Sequence, residues 1–196
     1  MQINKIIEVG ASDFAQCYSR KFIDSGAEIH LFEPNKIFYK SLVDRFWLKD
    51  NVKLYNQAIA PQSNGEKFYV YGYASYLKGQ SCLANSHRDL DGNIADYDKL
   101  LEPLSIFVPT LAVSEFVKIV DENTYLSLNC NGAEDEILPK LIKLPLIIRI
   151  CIYAHHADHW MKANRRLQIL NNLGYTNATR KSNKLSTFFE LEFARK

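Results

Sequence analysis

The sequence lacks several features that would assign a class of protein directly. It has no signal peptide, no lipidation motif and no uninterrupted apolar run of about 18 residues, so neither secretion nor a membrane span is predicted. Its four cysteines are widely spaced and form no Cys-x-x-Cys pair, which argues against a disulfide framework and against structural zinc. We therefore expect a soluble, cytoplasmic protein.

Charge excess of either sign is also missing. The formal net charge is +2 and the sequence pI is about 8.3, a balance that predicts neither a nucleic-acid nor a membrane partner from long-range electrostatics. A mildly basic stretch over residues 162–184 would suit either a phosphate-bearing ligand or a solvated surface. With 196 residues and 47% hydrophobic content, residues 1–196 are expected to form one domain.

Two short motifs stand at the ends of apolar runs. Gly10 follows the run Ile6–Val9, where a glycine lets the backbone approach a ligand closely. Glu33 lies 23 residues further on and closes the next apolar run, where a carboxylate can accept hydrogen bonds from both hydroxyls of a ribose. The pair predicts an adenosine pocket, unless Gly10 and Glu33 are only a turn and a surface carboxylate.

The residues after Gly10 bear on which cofactor such a pocket would hold. A dinucleotide site needs glycines near the positions of Ser12 and Cys17, because the pyrophosphate rests against backbone at a helix N-terminus. Asp13 would also bring negative charge close to phosphates. S-adenosylmethionine has no phosphate and carries two cationic groups, so this segment favours it over a nicotinamide cofactor.

Hydrophobic periodicity predicts alternating helices and strands, which is typical of an α/β layer fold. Residues 76–103 lack periodicity and are predicted to form an active-site loop or a disordered segment. A C-terminal hairpin is predicted from strands 175–179 and 187–193, with a polar turn at 180–184. The other predicted helices are 34–47, 113–120, 135–141 and 158–173, and the other predicted strands are 52–55, 67–73, 105–109, 125–128 and 146–153.

Five segments occur in the order found in the FkbM-type S-adenosylmethionine-dependent methyltransferases, and together they make the chain resemble that family. They are Val9-Gly10-Ala11-Ser12, Phe32-Glu33-Pro34, Asn56-Gln57-Ala58-Ile59-Ala60, Val108-Pro109-Thr110-Leu111-Ala112-Val113-Ser114-Glu115-Phe116 and Leu128-Asn129-Cys130-Asn131-Gly132-Ala133-Glu134. The resemblance implies a Rossmann-like class I methyltransferase fold. Such a fold has a seven-stranded, mostly parallel sheet with an antiparallel last strand, helices on both faces, and the cofactor across the carboxyl ends of the strands.

The resemblance also implies which residues bind the cofactor. Glu33 is expected to contact the ribose, and Asn129 is expected to face the methionyl end. Gln57 and Ala58 would lie along the adenine edge. The methionine and turn region is assigned to Glu8, Gly10, Ser12 and Asp13.

Three positions depart from the family pattern. Phe14 stands where the family has a glycine, and Asn129 and Asn131 replace an aspartate and a glutamate. Asparagine keeps the hydrogen bonding but cannot act as a general base or as a strong ligand for a hard cation. Either the base comes from elsewhere in the chain, or the domain binds the cofactor without catalysing a reaction.

The candidate bases lie near the end of the predicted strand 146–153 and in the long loop. His155 and His156 follow that strand at its carboxyl end, where ligands bind in such sheets, and Asp89 would close over the acceptor. Alternatively, the histidines cap the next helix and face water, and Asp89 is an ordinary loop residue. His155 and His159 have helical spacing and would suit a metal, but no further ligand is predicted, so we assign no metal.

By resemblance, the expected reaction is O-methylation of a sugar hydroxyl in a glycan or a nucleotide sugar. An RNA hydroxyl is the alternative acceptor, and a non-catalytic binding or scaffold domain is the alternative function. The chain starts almost directly on its first strand, without the helices that usually precede it in this fold. We therefore expect a domain of a larger polypeptide, such as one joined to glycosyltransferase domains.

Overall fold

The structure is a computed structural model, and it describes residues 2–70, 76–77, 105–153, 157–182 and 188–195. Strands and helices alternate along these residues. The strands are β1 (Lys5–Val9), β2 (Glu28–Phe32), β3 (Val52–Tyr55), β4 (Ala58–Ala60), β5 (Glu66–Tyr69), β6 (Tyr76–Leu77), β7 (Ser105–Val108), β8 (Thr110–Ala112), β9 (Thr124–Leu128), β10 (Ile147–Tyr153), β11 (Tyr175–Ser182) and β12 (Phe188–Arg195). The helices are α1 (Lys36–Phe46), α2 (Val113–Phe116), α3 (Glu134–Ile137) and α4 (Ala157–Asn172), with 3-10 turns at Tyr18–Phe22, Val117–Ile119 and Leu138–Lys140.

The main sheet has seven strands in the order β11-β12-β10-β9-β1-β2-β3. Strand β1 pairs in parallel with β2 on one side and with β9 on the other, so the order in which the strands are laid down across the sheet reverses beside β1. Strand β12 is antiparallel to both of its neighbours. In open α/β sheets, ligands bind outside the carboxyl ends of the strands at such a reversal.

Each face of the sheet is covered by helices, because alternate residues of its strands point to opposite sides. On one face, Ile7 and Val9 belong to a core that includes Phe116 of α2 and Leu170 of α4. On the other face, Ile6 packs in a second core that includes residues 42 and 46 of α1.

Two small sheets flank the main one between β3 and α2. Strands β4 and β8 pair in parallel, and β5 pairs with β6 and β7 in an antiparallel sheet. Thr110 holds this region together, since its hydroxyl donates to the Gln62 carbonyl at 2.7 Å and accepts from the Gly65 amide at 3.0 Å. The Val-Pro-Thr segment of the resemblance therefore has a structural role here.

The predicted fold class is confirmed: the structure is a Rossmann-like α/β fold with a mostly parallel seven-stranded sheet. The predicted turn at 180–184 is wrong in its first half, because β11 continues through Arg180–Ser182 in register with Phe189–Leu191. Backbone pairing at the edge of a sheet does not require apolar side chains, so a polar run can continue the strand. Among the described residues, no helix combines the length and the apolar character that a membrane span needs.

Candidate functional site

The carboxyl ends of β1, β2 and β9 meet at one edge of the sheet. Val9 is in register with Phe32 of β2 and with Leu128 of β9. The next residue of each strand is therefore brought to the same place, and these residues are Gly10, Glu33 and Asn129. Three of the positions predicted to bind the cofactor thus follow neighbouring strand ends at the reversal of strand order.

Gly10 is required by its surroundings in two ways. Its φ of +76° lies in the left-handed region that side chains disfavour. A Cβ built on it would also lie only 2.0 Å from the carbonyl oxygen of Asn129. The turn is fixed by the amides of Gly10 and Ala11, which both donate to the Phe32 carbonyl at 3.0 and 3.1 Å. The strand ends therefore approach more closely than any side chain at position 10 would allow.

Glu33 links the end of β2 to the turn after β1. One carboxylate oxygen accepts from the Ser12 amide at 2.7 Å, and the other accepts from the Asn35 amide at 2.8 Å. The residue is only 5% exposed, and this burial raises the pKa of its carboxyl group to about 7. Each oxygen keeps a further lone pair, so the group can still accept hydrogen bonds from a ligand.

Ser12 and Asp13 shape the turn between Gly10 and the 3-10 segment. Ser12 has a φ of +61°, and its buried hydroxyl oxygen has no hydrogen-bond partner in the described part of the chain. Asp13 caps the following turn, because its side chain and its main-chain carbonyl accept from the Gln16 amide at 2.9 and 3.2 Å. A buried unsatisfied hydroxyl at a strand end is a feature that a bound polar group would relieve.

Glu8 lies one step below the turn and faces the opposite direction from Val9. Its carboxylate is 2% exposed and accepts from the amides of Tyr18 at 3.0 Å and Ser19 at 2.8 Å. Burial raises the pKa of this carboxyl group. Glu8 therefore holds the start of the 3-10 helix beneath the turn, and its oxygens are engaged by the chain's own backbone.

The loop after β9 carries Asn129 and is also fixed by a carboxylate. The Asn129 amide donates to the Val9 carbonyl at 2.9 Å, and Asn131 has a φ of +49°. Glu134 is 1% exposed and accepts from the amides of Cys130 at 2.9 Å and Gly132 at 2.7 Å. Glu134, the last residue of the segment Leu128–Glu134, thus anchors the loop that carries Asn129 and Asn131.

Sequence reasoning missed a residue that connects two strand ends beside the predicted adenine edge. The Asn56 side chain donates to the carbonyls of Glu33 at 2.8 Å and Pro34 at 3.1 Å, and so ties the end of β3 to the end of β2. Its neighbour Gln57 is partly exposed, and the Ala58 amide donates to the Pro109 carbonyl at 3.0 Å. The asparagine that opens the Asn-x-Ala run was the available signal.

The departure at Phe14 has a packing explanation. Its amide donates to the Ser41 hydroxyl at 3.3 Å, and its ring meets Phe46 edge to face at a centroid distance of 5.3 Å. Both contacts dock the turn onto α1. An aromatic anchor thus occupies the position where the family has a glycine.

The predicted bases cannot be located in the structure. Asp89, His155 and His156 lie outside the described residues. Strand β10, which precedes the two histidines in the sequence, runs parallel to β9, so its carboxyl end points to the same edge of the sheet as Asn129. Among the described side chains, no three His, Cys, Asp or Glu residues are grouped as a metal site would require.

The chemistry of this edge suits an uncharged ribose better than a phosphate. Glu33 offers acceptor lone pairs, the Gly10 backbone is bare, and the Ser12 hydroxyl lacks a partner. A phosphate would meet the Glu33 carboxylate, and the charge of Asp13 is close enough to raise the pKa of that group further. The residues present therefore fit an adenosine with a cationic tail.

Comparison with solved structures agrees with this fold. The chain is similar to the Methanococcus jannaschii fibrillarin pre-rRNA processing protein, with a TM-score of 0.52, 12% identity, and coverage of 99% of this chain and 67% of that one. It is similar to Aeropyrum pernix fibrillarin with natively bound S-adenosyl-L-methionine, with a TM-score of 0.53, 8% identity, and coverage of 98% and 67%. For a fibrillarin/Nop5p complex the corresponding values are 0.53, 10%, 99% and 73%.

No family model matches the sequence, and no curated protein matches it. At these identities the structural likeness concerns the fold, which is that of the class I methyltransferases.

We expect Gly10→Ala to destabilise the protein more than Gly26→Ala. Both glycines have positive φ, +76° and +79°, so both substitutions incur the left-handed penalty of about 1–2 kcal/mol. Only Gly10 would also place a methyl group against the Asn129 carbonyl, while nothing lies within 4 Å of a Cβ at Gly26. Urea unfolding of both variants measures the difference, and equal losses would contradict the close packing of the strand ends.

We expect Glu33 to make stability fall as the pH rises from about 4.5 to 7. Its pKa is raised in the folded protein, so the folded state keeps a proton that the unfolded chain releases near 4.5. The loss from this group would be on the order of 3 kcal/mol and complete above pH 7. Unfolding free energies of wild type minus Glu33→Gln isolate this contribution, and a difference independent of pH over that range would refute it.

Proposed function

We propose that this chain is an FkbM-like S-adenosylmethionine-dependent O-methyltransferase that methylates a sugar hydroxyl of a glycan or a nucleotide sugar. The observation that supports the cofactor most strongly is the buried Glu33 carboxylate beside the bare backbone of Gly10, at the reversal of strand order. This arrangement presents acceptors for ribose hydroxyls where class I methyltransferase folds bind ligands.

In this proposal the chain's residues hold the cofactor from three strand ends. Glu33 accepts hydrogen bonds from the two ribose hydroxyls, and Gln57 and Ala58 line the adenine edge. Asn129 faces the methionyl end, while Ser12 offers its unsatisfied hydroxyl to the same ligand. Glu8 and Asp13 support the turn because their carboxylates accept hydrogen bonds from backbone amides.

The bound cofactor would supply a methyl group on a sulfonium centre, which an acceptor oxygen attacks in line. The protein must then align that oxygen and remove the hydroxyl proton. We assign the removal of this proton to His155 or His156, which follow β10 in the sequence, and we assign Asp89 to assist the base. The described residues near Asn129 offer no better candidate, because the Glu134 carboxylate is already engaged by two backbone amides.

The carbohydrate acceptor is supported by the family resemblance alone. The Methanococcus jannaschii fibrillarin, a pre-rRNA processing protein, shares the fold at 12% identity, and an RNA hydroxyl is accordingly the alternative acceptor. A non-catalytic binding domain is the alternative function. The proposal further includes a cytoplasmic location and a single domain over residues 1–196.

We expect S-adenosylhomocysteine to bind with micromolar affinity and Glu33→Ala to abolish that binding. The substitution removes both ribose acceptors and leaves the Ser12 amide without its partner. Calorimetric titration at pH 8, where the Glu33 carboxyl group is ionised, measures the affinity. Glu115→Ala is the matched control, since this exposed carboxylate lies on α2 and pairs only with Lys118 among the contacts described.

Folded wild-type protein that binds no S-adenosylhomocysteine would refute the cofactor proposal and favour the scaffold function. Equal affinities in wild type and Glu33→Ala would show that the ligand binds elsewhere. The variant's folded state is checked by circular dichroism before the titration.

We expect methyl transfer from labelled S-adenosylmethionine to a panel of glycans and nucleotide sugars, and a loss of at least about 100-fold in kcat in the variant that lacks the base. His155→Ala, His156→Ala and Asp89→Asn are compared at saturating cofactor. S-adenosylhomocysteine affinity should be unchanged in each, because none of these residues is assigned to cofactor binding. Transfer to RNA but to no sugar would refute the carbohydrate acceptor and favour an RNA hydroxyl. Full activity in all three variants would refute the base assignment.

A further inference from the structure

Two buried charged residues beside the candidate site have no part in the function proposed above. Glu134 at the start of α3 is 1% exposed, and Arg166 in the middle of α4 is 7% exposed. Buried charges are costly unless they are paired and hydrogen-bonded, so their presence beside a ligand site calls for a reason. Arg166 belongs to the basic stretch of the sequence, yet its burial removes it from any surface that would bind phosphate.

The contacts of these residues connect a loop to a helix. The Glu134 carboxylate holds the loop 129–132 through the amides of Cys130 and Gly132. Arg166 Nη2 lies 3.5 Å from Glu134 Oε2. The same guanidinium donates through Nε and Nη2 to the two carboxylate oxygens of Asp135, at 2.7 and 3.0 Å.

We infer that Glu134 and Arg166 are positioning residues, which hold the loop 129–132 in the conformation that receives the methionyl end of the cofactor and fix that loop to α4. This inference rests on the proposed function, because it concerns how the same cofactor site is kept in shape. Helix α4 begins at Ala157, directly after the segment that contains His155 and His156. One guanidinium would thus set both the loop that faces the cofactor and the helix that follows the proposed base.

The geometry explains why a carboxylate and a guanidinium are needed. A carboxylate can accept from two amides at once with separate oxygens, whereas a glutamine would turn its NH₂ group toward one of them. The planar guanidinium reaches Asp135 with two parallel hydrogen bonds while it stays close to Glu134, which a lysine ammonium cannot reproduce. Asn131, at a φ of +49°, and Gly132, at +126°, give the loop its shape, and Glu134 locks it.

The test compares Glu134→Gln and Arg166→Lys with Glu136→Gln. Glu136 is a partly exposed residue of the same short helix and pairs with Lys140. We expect S-adenosylhomocysteine affinity to fall about tenfold in Glu134→Gln and by a smaller factor in Arg166→Lys, since one buried hydrogen bond of the loop is lost in the first and the fork in the second. Glu136→Gln should bind like wild type. Hydrogen exchange of the Cys130 and Gly132 amides should accelerate in Glu134→Gln.

The readouts separate a positioning role from a merely structural one. A fall in melting temperature with unchanged affinity in both folded variants would overturn the assignment, because a structural role moves stability but not the affinity of the folded protein. Unchanged exchange at Cys130 and Gly132 would overturn it as well. If Glu134→Gln does not fold, Arg166→Lys decides by the same affinity criterion. Wild-type protein that binds no S-adenosylhomocysteine refutes the proposed function itself, which is a different result from wild-type binding with unaffected variants.

Discussion

The close approach of Gly10 to the Asn129 carbonyl is the constraint on which the candidate site depends. Because no side chain intervenes, the turn after β1 lies directly against the loop after β9. The turn is then within reach of Glu33, whose carboxylate binds the Ser12 amide. A residue with a Cβ at position 10 would separate the strand ends, and the ligand-facing edge would lose its shape.

Three buried glutamates near this edge bind backbone amides in the same way. Glu8, Glu33 and Glu134 are each at most 5% exposed, and each carboxylate accepts from two backbone amides. Charge-assisted hydrogen bonds of this kind are stronger than those between neutral groups, and they offset part of the cost of desolvation. The turns are therefore held by acidic side chains. A phosphate site would instead have a glycine-rich loop whose backbone amides contact the phosphate.

Such anchoring matters for binding because a loop that is already ordered loses little entropy when a ligand arrives. Burial keeps the pKa of Glu33 near 7, so a group that stabilises the turn also destabilises the folded protein once it ionises. Hydrogen bonds from ribose hydroxyls favour the ionised form. Buried ionisable groups that lower the stability of the folded protein are common at ligand sites, where they are kept for binding.

The features that sequence alone predicted are those set by local pattern. Strand β3 has the predicted bounds, and β9 and β10 each differ from the prediction by one residue. Strands β9 and β10 lie inside the sheet, and buried strands of this kind read as short apolar runs in sequence. The positions of Gly10 and Glu33 were predicted in the same way, because each residue directly follows an apolar run, which forms β1 or β2. The pairing of β4 with β8 was missed, because three-residue strands more than fifty positions apart in sequence carry no periodic signal.

The partners of the buried charges were equally out of reach of pattern reasoning. The resemblance assigned Glu8 to the cofactor and placed Glu134 in a motif, but only the folded chain shows that their oxygens accept from backbone amides. Arg166 was read as part of a basic surface because its sign is visible in sequence, whereas its ion pairs with Glu134 and Asp135 depend on how α4 packs. Long-range contacts between charged groups are set by tertiary structure, not by spacing.

The two asparagines at the centre of the site have a physical consequence for catalysis. Asn131 adopts a left-handed φ, which asparagine tolerates better than glutamate, so asparagine suits the loop's backbone but supplies no carboxylate there. Glu134 already holds this loop through two backbone amides and lies 3.5 Å from Arg166, so a role as base would conflict with its role as an anchor. A base for methyl transfer must therefore come from outside this loop. In the proposed function, that base is one of the two histidines that follow β10 in the sequence.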